Sequence, residues 1–262
     1  MKAQTKVLIL LCSLLIIFVA FALCPSNLSS AIDIKHINLT SLTKKPERPL
    51  ETDSTTSDTI KVPQKKEKDN SPQNILFIGD SMLEGLARRL VDYTEANGHT
   101  QHTIIWYSST SEKWATTKTL DHYIEKYKPT YIIVCLCSNE LFVRDLDDRD
   151  KYVKTIISKI GNIPYTWISP PNWKEDTGIN QVIIDNIGME RYFDSRDLDL
   201  PRGKDHAHPT FNAAKIWFDA YALWVGSDST IYPIKMDKPE KEVKLNNIVV
   251  LQPDFDGESF NN

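Results

Sequence analysis

The chain has 262 residues, 41% of them hydrophobic, and a formal net charge of −4. That length holds one substantial core beside flanking segments. The mild acidity, with no basic stripe interleaved with aromatic residues, argues against nucleic acid as a partner.

Met1, Lys2 and Lys6 precede Val7–Cys24, an uncharged and almost wholly apolar run. As a helix it spans about 27 Å, against a hydrocarbon core of roughly 30 Å. Residues 1–24 are expected to form a transmembrane anchor, with the lysine-bearing end in the cytoplasm and the rest of the chain outside it, in the periplasm or at the cell surface. A cleavable signal peptide competes, since Ala20-Phe21-Ala22 fits a cleavage site and would release a secreted protein. Lipidation at Cys24 fits less well, because Phe21 and Leu23 stand where small residues are wanted. From Pro25 to Pro72 the composition turns to Ser, Thr, Lys, Asp and Pro without apolar periodicity. This reads as a disordered linker with a reach of about 35–40 Å.

Residues 73–226 follow a βα alternation. Strands are expected near 75–79, 103–107, 131–137, 164–169 and 191–194, with helices near 82–97, 112–127, 147–160, 177–187 and 210–225. Repeated crossovers of this kind build a five-stranded parallel sheet with helices on both faces. Residues 227–262 read as a polar, irregular tail, apart from Ile248-Val-Val-Leu251, which either adds an edge strand or stays loose.

Three blocks carry chemistry. Ile75–Ile78 is an unbroken apolar run that stops at Gly79 and delivers Ser81 to the start of an amphipathic helix. Ligands of open α/β sheets sit at the carboxyl ends of strands, and helix N-termini favour negative charge. Ser81 is therefore placed as an exposed nucleophile, although Asp80-Ser81 also fits a plain helix cap. Near the far end, Asp205 precedes His208 by three residues, just ahead of a helical run. A serine nucleophile needs a base and a group to orient it, and one short loop supplies both. His206 competes with His208 for the base. Between these blocks the buried run Tyr131–Cys137 ends in Ser138-Asn139-Glu140, where an Asn amide can donate to an oxyanion or merely close an Asx turn.

Gly79-Asp80-Ser81, Ser138-Asn139-Glu140 and Asp205-x-x-His208, in that order, resemble the SGNH (GDSL-type) hydrolase family over roughly residues 74–225. The resemblance implies an α/β fold of the flavodoxin-like, three-layer α/β/α kind with esterase or acyltransferase chemistry. It makes Ser81 the nucleophile, Asp205 the orienting acid, His208 the general base and Asn139 an oxyanion donor. Two departures stand out. Cys137 takes the place of the family's glycine and Glu140 that of its aspartate. Trp106–Ser111 lacks the glycine whose N–H completes the oxyanion hole, leaving Ser109, Thr110 or Ser111 to supply it. With Ser81 and Asn139, Ser109 is taken as the third donor.

Trp114 and Trp173 lie in strand-end stretches, where exposed aromatic rings suit sugars, although tryptophan more often packs between helix and sheet. An acylated carbohydrate is the expected substrate. No cofactor or metal is expected: Cys135 and Cys137 read as buried thiols without metal-binding partners. Three functions fit these residues. One is an esterase that removes acyl groups, chiefly O-acetyl, from an envelope glycan. The second is an O-acyltransferase with the same triad, and the third is an inactive glycan-binding module.

Overall fold

The computed structural model describes residues 67–260. The apolar segment 7–24 and most of the 25–72 linker lie outside the described residues, and among those described no helix is long and apolar enough to cross a membrane. The end of the linker belongs to the folded body. Asp69 N–H donates to the Pro233 carbonyl at 2.8 Å, and Lys235 N–H donates to the Asp69 carbonyl at 3.0 Å. Backbone pairing thus begins ahead of residue 73.

The sheet has six parallel strands, one more than expected: β1 (Asn74–Gly79), β2 (Thr100–Trp106), β3 (Tyr131–Cys135), β4 (Tyr165–Ile168), β5 (Tyr192–Phe193) and β6 (Ile248–Leu251). Their order is β5-β4-β3-β1-β2-β6. Among the described residues six α-helices accompany them: α1 (Leu83–Asn97), α2 (Ser111–Thr116), α3 (Thr119–Tyr127), α4 (Leu146–Ile160), α5 (Ile179–Ile187) and α6 (Phe211–Val225). The first five strands have the flavodoxin-like order, and the sixth corrects the picture of an irregular tail. It pairs with β2 from Thr103↔Ile248 to Trp106↔Leu251. Three β-branched residues in a row suit that edge position.

Alternation along β1 divides the core. Ile75 and Phe77 join Leu83, Leu86 and Leu90 of α1 and Trp217, Phe218 and Tyr221 of α6 on one face. Leu76 and Ile78 join Trp114, Leu120, Val153, Ile156 and Ile183 on the other. A strand buried on both faces reads as an unbroken apolar run, which is why β1 and β3 stand out in the sequence. The α1–α6 contact is close at Gly85, where an added Cβ would fall 2.4 Å from the Ala214 Cβ.

The single helix expected over 112–127 is two. Thr117 is extended, with φ −97° and ψ 166°, and its hydroxyl accepts the Thr119 N–H at 3.3 Å. A hydroxyl that offers the backbone a local alternative ends one helix and starts the next. The tail is also held down. Asp92 accepts the Val243 N–H at 2.8 Å and Asn97 accepts the Asp237 N–H at 2.9 Å.

Candidate active site

β1 lies between β2 and β3, so the chain switches sides of the sheet at its carboxyl end, the place where a crevice opens in folds of this class. Gly79 ends the strand because nothing larger fits. A Cβ there would sit 2.1 Å from the Cys135 carbonyl oxygen and 2.2 Å from Leu83 Cδ1. Asp80, fully buried, accepts N–H bonds from Met82 at 3.0 Å and Ser138 at 3.2 Å, and the Ser138 hydroxyl as well. It stitches the end of β1 to the end of β3. Burial pushes its carboxyl up to about 6. Asp80 thereby closes the turn ahead of α1, and the Ser81 hydroxyl is left for another partner.

That partner is His208: Ser81 Oγ and His208 Nε2 are 2.8 Å apart. On the other side of the ring, His208 Nδ1 lies 2.7 Å from Asp205 Oδ2. Asp205 Oδ1 accepts the backbone N–H groups of Ala207 and His208, each at 3.0 Å. The Ala207 amide, followed by the His208 side chain and amide, holds the Asp205 carboxyl down at about 2. An ionised Asp205 fixes the proton on Nδ1 and turns the Nε2 lone pair toward the serine. Arg202 braces the loop, donating to the Ala207 carbonyl at 2.7 Å and the Pro171 carbonyl at 2.9 Å. Thr210 then caps α6 by accepting the Ala213 N–H at 3.2 Å. His206, the competing histidine, is exposed at φ 60°. Its N–H donates to the Gly203 carbonyl at 3.1 Å.

Two residues just past the ends of β2 and β3 take a left-handed backbone without being glycine. Cys137 has φ 79° and Ser108 has φ 55°. Burial raises the Cys137 thiol far above its ordinary range, so it stays protonated. Ser109 is not suited to supply the oxyanion amide, because its N–H donates to the Trp106 carbonyl at 3.1 Å. The Ser111 N–H is likewise spent, on Glu140 Oε2 at 2.7 Å. Ser108, one residue before Ser109, lines the same groove as Ser81, whereas Thr110 does not. Its signal in the sequence was the Tyr107-Ser108-Ser109 turn directly after β2, but no residue type there announces a positive φ. Asn139 Nδ2 donates to the Ser109 carbonyl at 2.9 Å, which fixes the amide with one of its two protons and leaves the second. Glu140, buried, receives the Ser111 hydroxyl at 2.7 Å and Arg149 at 3.0 Å. It ties the turn of Asn139 to α2.

Trp114 is not a substrate residue. It is fully buried, with its indole N–H on Ser109 Oγ at 3.0 Å. Trp173 is half-buried against both cores and meets Phe142 edge-on at 5.8 Å, and it does not line the groove at Ser81. That groove has a volume of about 710 Å³ and runs from Ser81 and Ser108 past His208 to Phe211 and Gln252. Phe211 and Gln252 carried no motif, since only tertiary pairing brings them there.

No protein-family model and no curated protein sequence matches the chain. Among solved structures its fold is similar to that of the lipase/acylhydrolase from Enterococcus faecalis, at 16% identity and a TM-score of 0.47, over 57% of this chain and 93% of that one. It is also similar to a gut microbial diltiazem-metabolizing enzyme, at 14% identity and a TM-score of 0.40, over 62% of this chain and 48% of that one.

Proposed function

We propose that the protein is an SGNH-type serine esterase that removes acyl groups, O-acetyl foremost, from a carbohydrate. The observation that carries this reading is the relay from Ser81 Oγ to His208 Nε2 at 2.8 Å and from His208 Nδ1 to Asp205 at 2.7 Å. In the reaction His208 takes the serine proton as Ser81 attacks the ester carbonyl. The developing oxyanion meets the Asn139 amide and the backbone N–H groups of Ser81 and Ser108. Collapse of the tetrahedral adduct expels the alcohol, which receives the proton from His208, and water then attacks the acyl-serine with His208 as base. The inactive-module reading leaned on the missing glycine, and the left-handed Ser108 weakens it. Export and anchoring through residues 1–24 belong to the same proposal, on the strength of the apolar run and its leading lysines.

The test is Ser81→Ala. The Ser81 hydroxyl bonds His208 rather than a helix amide, so the variant is expected to fold, to lose labelling by a fluorophosphonate probe and to lose hydrolysis of 4-nitrophenyl acetate. A folded wild type that takes no label and cleaves no ester returns the protein to the binding-module reading.

A further inference from the structure

On the esterase reading, His208 must hand its proton to the departing alcohol, so the alcohol portion of the ester leaves on the His208 side of Ser81. The groove of about 710 Å³ lies on that side. Its apolar lining comes from Met82, Ala214 and the Phe211 ring, which is 56% exposed. The Arg88 guanidinium lies over that ring at 4.9 Å. The rim is polar: Tyr107, Glu84 and the exposed Gln252 all line it.

Gln252 reaches the groove because β6 runs parallel to β2 and ends at the same edge of the sheet as β1. Its position is pinned from both sides. The Tyr107 N–H donates to the Leu251 carbonyl at 3.0 Å, and Lys113 Nζ to the Pro253 carbonyl at 2.7 Å. We propose that this groove holds the alcohol portion of the substrate as a sugar, and that Gln252, supplied by the C-terminal segment, is a specificity-determining residue for it. A neutral amide both donates and accepts, which matches a hydroxyl, while an exposed aromatic ring packs the C–H face of a pyranose. A long alkyl alcohol fits less well, because it would strip water from the Glu84 and Asp205 carboxylates without returning a hydrogen bond.

The test uses the full chain and two acetates with the same acyl group, 6-O-acetylglucose and ethyl acetate, with 4-nitrophenyl acetate as the control for esterase activity. Wild type is expected to favour the sugar ester in kcat/KM by about tenfold or more. Gln252→Ala is expected to raise KM for the sugar ester about five- to tenfold, the loss of one or two hydrogen bonds, while kcat on it and turnover of ethyl acetate stay within about twofold. No sugar preference in wild type, or equal losses on both acetates, overturns the assignment of the groove while the esterase reading stands. A folded wild type that leaves 4-nitrophenyl acetate intact overturns both.

Discussion

Gly79→Ala tests whether the end of β1 is held as tightly as the site requires. The new methyl carbon would start 2.1 Å from the Cys135 carbonyl oxygen and 2.2 Å from Leu83 Cδ1, more than an ångström inside ordinary contact, which begins at about 3.5 Å. Leu83 can change rotamer, but the carbonyl belongs to β3 and accepts the Asp80 N–H. The strands must therefore part. Overpacking of this kind costs about 1–3 kcal/mol, and contact with backbone puts the expected value near the top of that range. The same displacement carries Ser81, two residues on, away from His208, whose present separation of 2.8 Å leaves little slack. A shift of about 1 Å in a reacting group lowers the rate on the order of a hundredfold. Urea unfolding followed by circular dichroism, together with kcat/KM on 4-nitrophenyl acetate, reads both effects. Gly203→Ala, whose added Cβ would meet nothing closer than 3.6 Å, is the control. If Gly79→Ala unfolds within about 0.5 kcal/mol of wild type and keeps its turnover, the close packing at the nucleophile has no functional weight.

Three further outcomes are expected. Asp205→Asn keeps an oxygen for the Ala207 and His208 amides but presents an N–H to His208 Nδ1, which moves the imidazole proton to Nε2; kcat should fall on the order of a thousandfold or more, and a variant above a tenth of wild type would refute the assigned tautomer. His208→Ala should remove nearly all turnover and His206→Ala little, since only His208 contacts both Ser81 and Asp205; the reverse ranking in a steady-state assay would reassign the base. Asp80 has a folded-state value of about 6 against an ordinary 3.8, so its contribution to stability is complete below about pH 4 and is lost as pH rises through 6. That amounts to at most about 3 kcal/mol. Asp80→Asn should flatten this part of the stability–pH curve, and parallel wild-type and variant curves from pH 4 to 7 in urea melts would sink the claim.

What could be read ahead of the structure follows from how locally each feature is encoded. Ile75–Ile78 and Tyr131–Cys135 announce buried strands by composition alone, and Ser81, Asn139, Asp205 and His208 stand at strand ends or in loops whose spacing is visible. Features set by distant partners were hidden. β6 is four residues whose role depends on pairing with β2 across most of the chain. Trp114 looks like any other tryptophan until the Ser109 hydroxyl and both sheet neighbours enclose it. Ser108 and Cys137 take left-handed backbone angles that nothing in a serine or a cysteine predicts, so a rule that looks for glycine misses both turns. The helix break at Thr117 turns on one hydroxyl choosing a local amide, which periodicity does not register.

Ser81 and His208 are 127 residues apart in sequence. Such separation makes the reaction centre a late event in the life of the chain, because long-range closure precedes any contact between the two side chains. At a synthesis rate of about 5–20 residues per second, roughly 6–25 s pass between the emergence of the nucleophile and that of its base. During that interval a serine already in place at the end of its strand has nothing to take its proton. On the esterase reading, cleavage therefore times the arrival of the third block: a chain stopped before Asp205 displays every residue of the first two blocks and remains chemically silent.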